Sequence, residues 1–393
     1  MKIVFAMDSM KGSLTSLECG NAAAKGLLRA IPDAEYEVRP LADGGEGTVE
    51  AVTTGCGGGF RDIQVIGPMG NRISARYGII EGTKRTAIIE ISAAAGIALI
   101  PAVDRDPFKT TTYGVGEMIN DALEMGCTHM IIGLGGSATN DAGIGMLQAL
   151  GASFYDAKGN PLIGDKGYLT GGDLEFVSKV TPERFNPKLR DCSFRIACDV
   201  NNPLFGEYGA SRIFGPQKGL FDSEIEAADE WMVNFNEVTK LALHKNVDPD
   251  FPGCGAAGGL GYSFKYYLGG ELESGTRIVI EETNLKKYIS EADLVVTGEG
   301  LLDSQTLSGK APMGIAHIAK VFNKPVIAIV GAVSASFDGD MVPDVDAYFP
   351  VLRRCSTLQE AMNPATARIN IVATSQQIFK LLDKEQKYIQ RFR

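Results

Sequence analysis

The sequence has 393 residues, of which 45% are hydrophobic and 22% are charged, which is typical of a globular protein with room for two cores. Its net charge is −10, so nucleic acids and anionic membranes are disfavoured as partners, because their phosphates repel an acidic surface. The first predicted element, a strand at 2–7, is too short an apolar run for a signal peptide. The seven cysteines form no CxxC pair, and together these features predict a cytoplasmic protein.

Strand and helix patterns alternate along the chain. The first strand is followed by a polar loop and a helix at 15–30, which Thr15 and Glu18 would cap and Pro32 would end. A second helix is predicted at 113–125, with Thr112 as its cap. Further strands are predicted at 36–41, 87–91, 130–134, 194–198, 294–297 and 326–330. This alternation predicts an α/β fold with mostly parallel sheets.

The domain organisation is predicted from the place where regular alternation is interrupted. Residues from about 67 to 290 contain more irregular sequence, such as DAKGNPLIGDKG, and regular alternation returns near the end of the chain. We therefore expect a discontinuous α/β domain formed by 1–68 and 290–393, with a second α/β domain inserted at 69–289.

Several common catalytic signatures are absent from the sequence. It contains no GxxxxGK[ST] phosphate loop, no HExxH or paired CxxC metal signature, and no GxSxG nucleophile elbow. The three histidines lie far apart in the chain. Any chemistry is therefore expected to depend on carboxylates, lysines, hydroxyl groups and backbone amides.

Four polar or glycine-rich runs each follow a predicted strand, which is where open α/β sheets bind ligands. They are DSMKGSLTS (8–16), ADGGEGT (42–48), GLGGSATNDAGIG (133–145) and TGEGLLDSQTLSGKAP (297–312). Lys11 beside a helix N-terminus suits an anion, and Asp43 could accept a hydroxyl proton. The first two runs are also compatible with capped turns, and lone charges such as Lys218 are expected to be solvated.

The run at 133–145 leaves two interpretations open. Gly133, Gly135 and Ala138 match the dinucleotide pattern GxGxxG/A, and Asp156 follows near the expected distance, as in an NAD-dependent dehydrogenase of a small hydroxy acid. The hydroxyl, amide and carboxylate groups after Gly135 instead favour phosphates with Mg²⁺. The second interpretation makes the protein an enzyme of phosphoryl transfer.

Seven short motifs resemble, in order, those of the type I glycerate kinases. They are DSxKGS (8–13), PLADGGEGT (40–48), GLGGSATNDAG (133–143), CDVxNPL (198–204), FGPQKG (214–219), GAAGGLG (255–261) and TGEG..D.QT..GK.P (297–312). The resemblance implies transfer of the γ-phosphoryl group of ATP to D-glycerate, giving 2-phospho-D-glycerate in the bacterial enzymes generally. It also implies the two-domain type I glycerate kinase fold, with one flavodoxin-like domain and the other inserted.

Hypothetical roles follow from this resemblance. The catalytic residues would be Asp43, Lys11 and Lys310. Glycerate would contact Asp8, Ser9 and Gly44. The ATP phosphates would contact Gly135, Gly136, Ser137, Thr139 and Asn140. Mg²⁺, the one expected cofactor, would be held by Asp141 and Asp303.

Leu301 departs from the family pattern, which usually has an arginine at this position. The departure slightly favours a further alternative, a non-catalytic protein of the same fold that binds a small acid. The sequence leaves open which hydroxyl is phosphorylated, whether other hydroxy acids react, and whether the protein is a monomer or a homodimer.

Overall fold

The structure is a computed structural model that describes residues 1–303, 311–335 and 342–391. In this part of the chain, no helix is both long and apolar enough to cross a membrane. The strands are β1 (Lys2–Met7), β2 (Glu35–Val38), β3 (Gly59–Ile66), β4 (Arg72–Ile80), β5 (Thr86–Glu90), β6 (His129–Gly133), β7 (Ser153–Tyr155), β8 (Pro161–Leu162), β9 (Lys179–Thr181), β10 (Ser193–Ala197), β11 (Glu271–Glu273), β12 (Leu294–Gly298), β13 (Leu301–Leu302), β14 (Val326–Val330), β15 (Ala332–Val333) and β16 (Ala347–Pro350).

The helices are α1 (Ser16–Ala30), α2 (Thr48–Gly55), α3 (Ser92–Ala95), α4 (Tyr113–Glu124), α5 (Ile144–Ala149), α6 (Ala210–Lys218), α7 (Asp222–Leu243), α8 (Ala256–Tyr267), α9 (Gly275–Glu282), α10 (Leu285–Glu291), α11 (Ala311–Val321), α12 (Leu358–Met362) and α13 (Pro364–Arg391). Short 3-10 segments occur at Ile97–Leu99, Ala102–Asp104, Gly171–Phe176 and Pro187–Asp191.

The chain divides into two compact units. Unit 1 comprises Met1–Asp43, Glu50–Cys56 and Val279–Arg393, and unit 2 comprises Gly44–Val49 and Gly57–Ile278. Unit 1 is thus built mainly from the two ends of the chain. The predicted domain boundaries, 1–68 with 290–393 around 69–289, stay a prediction.

Unit 1 contains a five-stranded sheet in which every strand pair is parallel. Its order is β16-β14-β12-β1-β2, which is the 2-1-3-4-5 order of flavodoxin-like sheets when only the strands of this sheet are counted. The predicted flavodoxin-like domain is confirmed. The predicted capping box is also confirmed, because Thr15 Oγ1 accepts from Glu18 N–H and Glu18 Oε2 accepts from Thr15 N–H.

Both faces of this sheet are buried. In β1, Ile3 and Phe5 pack in one hydrophobic cluster with residues of α1 and α13, whereas Val4 and Ala6 pack in another with residues of α10 and α11. Successive side chains of a strand point to opposite faces, so a continuously apolar strand needs helices on both sides. The helices of unit 1 meet this requirement.

Unit 2 contains a mixed six-stranded sheet in the order β11-β10-β6-β5-β4-β3. Its strands β5, β6, β10 and β11 run parallel to one another. Strands β4 and β3 add an antiparallel edge beside β5. A small antiparallel sheet, β8-β7-β9, lies in the same unit. The strands predicted at 87–91, 130–134 and 194–198 are confirmed as β5, β6 and β10, each beginning one residue earlier. The loops that follow these three strands therefore lie at one edge of the sheet.

Candidate functional site

In unit 1, acidic residues lie where β1 and β12 end. The strand order reverses between these two neighbours, which is the place where open α/β sheets bind ligands. Asp8 follows β1, and its backbone N–H donates to Gly298 O at 2.8 Å. Glu299 follows β12 and is buried. Sheet topology alone therefore brings both carboxylates to a ligand-binding position.

Asp8 is held in surroundings that disfavour its ionised form. The pKa of Asp8 is raised to about 6, chiefly by burial and in smaller part by the nearby carboxylates of Asp43 and Glu299, whereas the Ser9 N–H and Lys11 oppose the shift. That N–H donates to Asp8 Oδ1 at 2.7 Å. A carboxylate that titrates near neutral pH is suited to accept a proton from a hydroxyl group.

Asp43 is positioned by the start of α1. The Ser16 hydroxyl donates to Met7 O at 2.5 Å and accepts from Leu41 N–H at 2.7 Å, which ties the segment before Asp43 to the end of β1. Asp43 Oδ2 lies 3.5 Å from Lys11 Nζ, and the lysine side chain is largely exposed. Exposed ion pairs of this kind are weak, so Lys11 can exchange this contact for a bound anion.

In unit 2, the glycine-rich loop (residues 133–145) follows β6 and packs on Gly44 and Gly45. A Cβ atom on Gly133 would lie 2.5 Å from Gly44 O, and one on Gly135 would lie 2.6 Å from Gly45 Cα. Gly44 has φ +87, and a Cβ there would lie 2.6 Å from Ala197 Cβ. These glycines are therefore required by close backbone packing and by one left-handed conformation.

The glycine-rich loop buries polar atoms that have no hydrogen-bond partner in the described part of the chain. Thr139 and Asn140 are buried, and the atoms in question are Thr139 Oγ1 and Asn140 Oδ1. The amide of Asn140 donates to Ser211 Oγ at 3.0 Å. Because buried polar atoms are almost always paired, these two atoms point to a ligand at the loop.

Lys218, the last residue of α6, lies beneath the same loop. It is 3% exposed, and its Nζ donates to Ser137 Oγ at 2.9 Å and to Thr139 O at 2.7 Å. Burial lowers the pKa of Lys218 to about 7, against an opposing effect of Asp141. The expectation that Lys218 is solvated is wrong, because its partners come from a loop far away in the sequence. Only its place in the FGPQKG motif hinted at a role.

The carboxylate of Asp141 is occupied by donors of its own unit. Its Oδ2 accepts from the Thr112 N–H at 3.0 Å and from the Thr112 hydroxyl at 2.7 Å, and its Oδ1 accepts from Gly143 N–H at 3.0 Å. Burial raises the pKa of Asp141, and these hydrogen bonds oppose the shift. The geometry favours a structural role, and metal binding by Asp141 stays a prediction.

Thr112 does not cap its helix with its side chain. It stands at the N-cap position of α4, but no capping hydrogen bond is formed. Its hydroxyl instead donates to Asp141 and accepts from Met146 N–H at 2.9 Å. The capping prediction for Thr112 is therefore wrong, because a tertiary partner competes successfully for the hydroxyl.

A second glycine-rich stretch, residues 255–261, packs on the glycine-rich loop, and the backbone is strained where the two meet. Ala142 has φ 49 and Ala257 has φ 53, which is the left-handed region that alanine rarely adopts. Ala142 N–H donates to Gly258 O at 2.9 Å, and a Cβ on Gly258 would lie 2.0 Å from Thr139 O. Strained residues held by their surroundings are typical of functional sites.

The dinucleotide interpretation is not supported by the position of Asp156. This residue follows β7, which belongs to the small antiparallel sheet and does not pair with β6. Its carboxylate accepts from the backbone N–H groups of Lys158 and Asn160, as in a turn. A dinucleotide site needs the acidic residue after a parallel neighbour of the first strand, and β7 is not such a neighbour.

A sequence-family model described as the glycerate kinase family matches residues 3–383. The chain belongs to the glycerate kinase family. This confirms the resemblance of the seven motifs, and the match extends well beyond the residues that they cover.

Named relatives of the family support this assignment. Glycerate 2-kinase of Escherichia coli K12 is 47% identical over 379 residues, covering 95% of this chain and 98% of that protein. A glycerate kinase of Haemophilus influenzae is 40% identical, covering 97% and 99%. A crystal structure assigned to glycerate kinase 2 of Salmonella typhimurium LT2 is 42% identical, with a TM-score of 0.87 and coverage of 98% and 99%.

The predicted site residues of this family member fall into separate groups. Unit 1 brings together Asp8, Ser9, Lys11 and Asp43, and Asp303 follows β13 in the same unit. In unit 2, the loop that carries the predicted ATP-binding residues packs on Gly44. Lys310 lies outside the described residues. The individual roles stay predictions.

Proposed function

We propose that the protein transfers the γ-phosphoryl group of ATP to the 2-hydroxyl of D-glycerate. The observation that carries the proposal is the full-length likeness to glycerate kinases, including 47% identity with the Escherichia coli protein named glycerate 2-kinase. The two groups of polar residues supply complementary chemistry, which supports it independently. One group suits phosphates, and the other suits a hydroxy acid.

The glycine-rich loop of unit 2 is the proposed phosphate site. Gly135, Gly136 and Ser137 stay the predicted contacts of the ATP phosphates, and the buried Thr139 Oγ1 and Asn140 Oδ1 have no hydrogen-bond partner among the described residues. Lys218 contributes a buried cationic group that contacts the loop directly. Phosphoryl transfer depends on positioned donors and cations of this kind.

The acidic residues of unit 1 are the proposed glycerate site. Asp8, Ser9 and Gly44 stay the predicted substrate contacts, and Lys11 stays a predicted catalytic cation. Asp43 is the predicted group that orients or deprotonates the attacking hydroxyl. Asp8 becomes a second candidate for that role, since its pKa of about 6 lies near the working pH of a cytoplasmic enzyme.

Mg²⁺ is the proposed cofactor, bound together with ATP. No group of three acidic, histidine or cysteine side chains in the described residues is arranged to hold a metal ion. Kinases usually bind Mg²⁺ through one or two protein oxygens and the substrate phosphates, so this finding fits Mg·ATP. Asn140 Oδ1, which accepts no hydrogen bond from any described residue, is a suitable oxygen, and Asp303 stays a predicted ligand. The bound ion would neutralise charge on the transferred phosphoryl group.

The proposal is tested by incubating the purified protein with Mg·ATP and D-glycerate. We expect release of ADP in a coupled assay and a phosphorus NMR spectrum of 2-phosphoglycerate. Formation of 3-phosphoglycerate would contradict the choice of hydroxyl, and absence of ADP release above background would contradict the kinase. Reduction of NAD by glycerate would instead support the dehydrogenase.

The role of Asp43 is tested in the same assay by Asp43→Asn. Loss of a general base typically costs about 10²- to 10⁴-fold in rate, so we expect at least a 100-fold fall in kcat. Asp33→Asn, which changes an exposed carboxylate of the same unit, is the matched control and should retain full activity. Wild-type kcat and an unchanged pH profile in Asp43→Asn would transfer the role to another residue, with Asp8 as the first candidate.

A further inference from the structure

Unit 2 contains a pocket of about 630 Å³ whose lining includes no residue of the glycine-rich loop. Its volume lies within the range of about 300–1,000 Å³ that is usual for small-molecule sites. The apolar part of its lining comes from Met69, Ile100, Pro101, Val103 and Phe221. Carboxylates of Asp104 and Glu224 line it as well.

The two segments that line the pocket, around 100–106 and 217–221, each adjoin a residue that contacts the glycine-rich loop. On one side, Ile97 lies three residues before Ile100, and its N–H donates to Gly136 O at 2.8 Å. On the other side, the lining residue Gly219 follows Lys218, whose Nζ contacts Ser137 and Thr139. The pocket and the proposed phosphate site are therefore adjacent parts of one unit.

The two walls are held together by close backbone packing. Gly219 has φ +106, and a Cβ atom there would lie 2.2 Å from Arg105 O. The guanidinium of Arg105 also donates to Gln217 O at 3.4 Å. These contacts join the segment around 100–106 to the segment around 217–221, so the shape of the pocket is largely preformed.

Two large apolar side chains of the lining are exposed to solvent. Val103 is 92% exposed and Phe221 is 72% exposed. The position of Phe221 is fixed by the start of α7, because its N–H donates to Glu224 Oε2 at 2.9 Å. A single exposed apolar residue is ordinary, but two on one pocket provide a surface on which a flat apolar group can be buried.

The charges of the pocket disfavour an anionic occupant. Its lining has three carboxylates, of Asp104, Asp106 and Glu224, against two cations, of Arg105 and Lys109. Lys109 is paired with Asp106 at 2.8 Å. Another phosphate or a small acid is therefore a poor fit, whereas carboxylates are good acceptors for sugar hydroxyl groups.

We propose that this pocket binds the nucleoside of the nucleotide whose phosphates occupy the glycine-rich loop. The base stacks on Phe221 with Val103 at its edge, and the ribose hydroxyls donate to Asp104 or Glu224. This inference rests on the proposed function, because it assumes that the loop holds nucleotide phosphates. It adds a binding site for the base and the sugar.

The test compares Phe221→Ala with wild-type protein in two measurements. Loss of base stacking on one aromatic ring should raise the KM for ATP about tenfold and leave the KM for D-glycerate unchanged. In calorimetry without glycerate, the affinity for ATP should fall by the same factor, whereas the affinity for inorganic triphosphate should not change. Leu241→Ala, which truncates an exposed apolar residue within α7, is the matched control and should behave as wild type.

Two results would overturn the proposal. One is an unchanged affinity for ATP in a folded Phe221→Ala protein, and the other is an equal loss of affinity for ATP and triphosphate. A change in molecular mass by light scattering with unchanged ATP affinity would assign the pocket to a second copy of the chain. Because the calorimetry omits glycerate, it tests the pocket even if the wild-type protein releases no ADP with that acid.

Discussion

Asp8 and Lys218 are both held in surroundings that disfavour their charged forms. Burial raises the pKa of Asp8 to about 6 and lowers the pKa of Lys218 to about 7. Both groups therefore titrate close to neutral pH, one in each unit. Perturbed side chains of this kind concentrate at functional sites, although ion-pair networks also produce them.

Asp8→Asn is expected to stabilise the protein while removing activity. The folded-state pKa of Asp8 lies above the unfolded value of 3.8, so the ionised carboxylate destabilises the fold above pH 6, by up to about 3 kcal/mol. The variant removes that charge. Its gain in unfolding free energy should be fully present at pH 8 and should shrink as the pH falls through 6.

Thermal unfolding of both proteins between pH 5 and pH 8 measures this difference, with D-glycerate phosphorylation assayed in parallel. Asp33→Asn, which changes an exposed carboxylate, should show no pH-dependent gain. An Asp8→Asn protein that is less stable than wild type at pH 8 would show that the carboxylate has a stabilising partner.

Lys218→Met is expected to impair the use of ATP specifically. The substitution keeps the length of the side chain but removes the donors to Ser137 Oγ and Thr139 O. Hydrogen bonds from a charged group contribute about 1.5–3 kcal/mol each, so kcat/KM for ATP should fall about 100-fold or more. The KM for D-glycerate should stay within about twofold of wild type if Lys218 acts through the loop.

Steady-state kinetics with each substrate varied in turn separates these effects. Lys240→Met is the matched control, because it changes a lysine of α7 that pairs with the exposed Glu237 and lies outside the loop. An equal fall in kcat/KM for ATP and for D-glycerate would argue against a role confined to the glycine-rich loop.

At the scale of elements, two glycine-rich stretches form one tightly packed feature of unit 2. The stretch at 255–261 lies on the loop at 133–145, and Ala257, Gly258 and Gly259 all have positive φ. These three residues lie within the bounds of α8, but their backbone is left-handed, so the helix is kinked in its first turn. This conformation turns the backbone so that Gly258 packs against Thr139 O. The hydroxyl group of the same threonine has no hydrogen-bond partner among the described residues.

Gly258→Ala is expected to destabilise the protein far more than Gly269→Ala. Both residues have nearly the same φ, +68 and +67, but a Cβ on Gly258 would lie 2.0 Å from Thr139 O, whereas no atom of the described residues lies within 4 Å of a Cβ on Gly269. Left-handed alanine costs about 1–2 kcal/mol, and steric overlap in a packed interior adds about 1–3 kcal/mol.

Chemical denaturation measures the loss of unfolding free energy in each variant. The difference between the two losses is the cost of steric overlap, because both variants place an alanine in the left-handed conformation. The Gly258→Ala protein should also show a raised KM for ATP, since its overlap displaces the loop. Equal losses of unfolding free energy would mean that the contact with Thr139 relaxes without cost.

At the scale of the whole molecule, each unit has its own hydrophobic core. The core of unit 2 extends from Val65 to Phe264, and two of the clusters of unit 1 lie on opposite faces of its parallel sheet. Helices from the two chain ends pack together in unit 1, where a Cβ on Gly26 of α1 would lie 2.6 Å from Val372 O of α13. Unit 1 therefore requires both ends of the chain.

Much of this architecture was predictable from local sequence. The strands at 2–7 and 326–330, and the capping box of Thr15 and Glu18, are found as expected, because alternation of faces and helix capping depend on neighbouring residues. The wrong expectations concern Thr112 and Lys218. In both cases the deciding partner lies far along the chain.

By itself, the sequence determined the α/β class, the order of its elements and, through seven ordered motifs, the glycerate kinase family. Only the tertiary structure decided that Lys218 is buried under a loop 81 positions away, that the Asp141 carboxylate is occupied, and that Phe221 lines a pocket beside that loop. The physical reason is that burial, pKa and hydrogen-bond partners are properties of the space around a side chain. That space is created by the packing of distant segments.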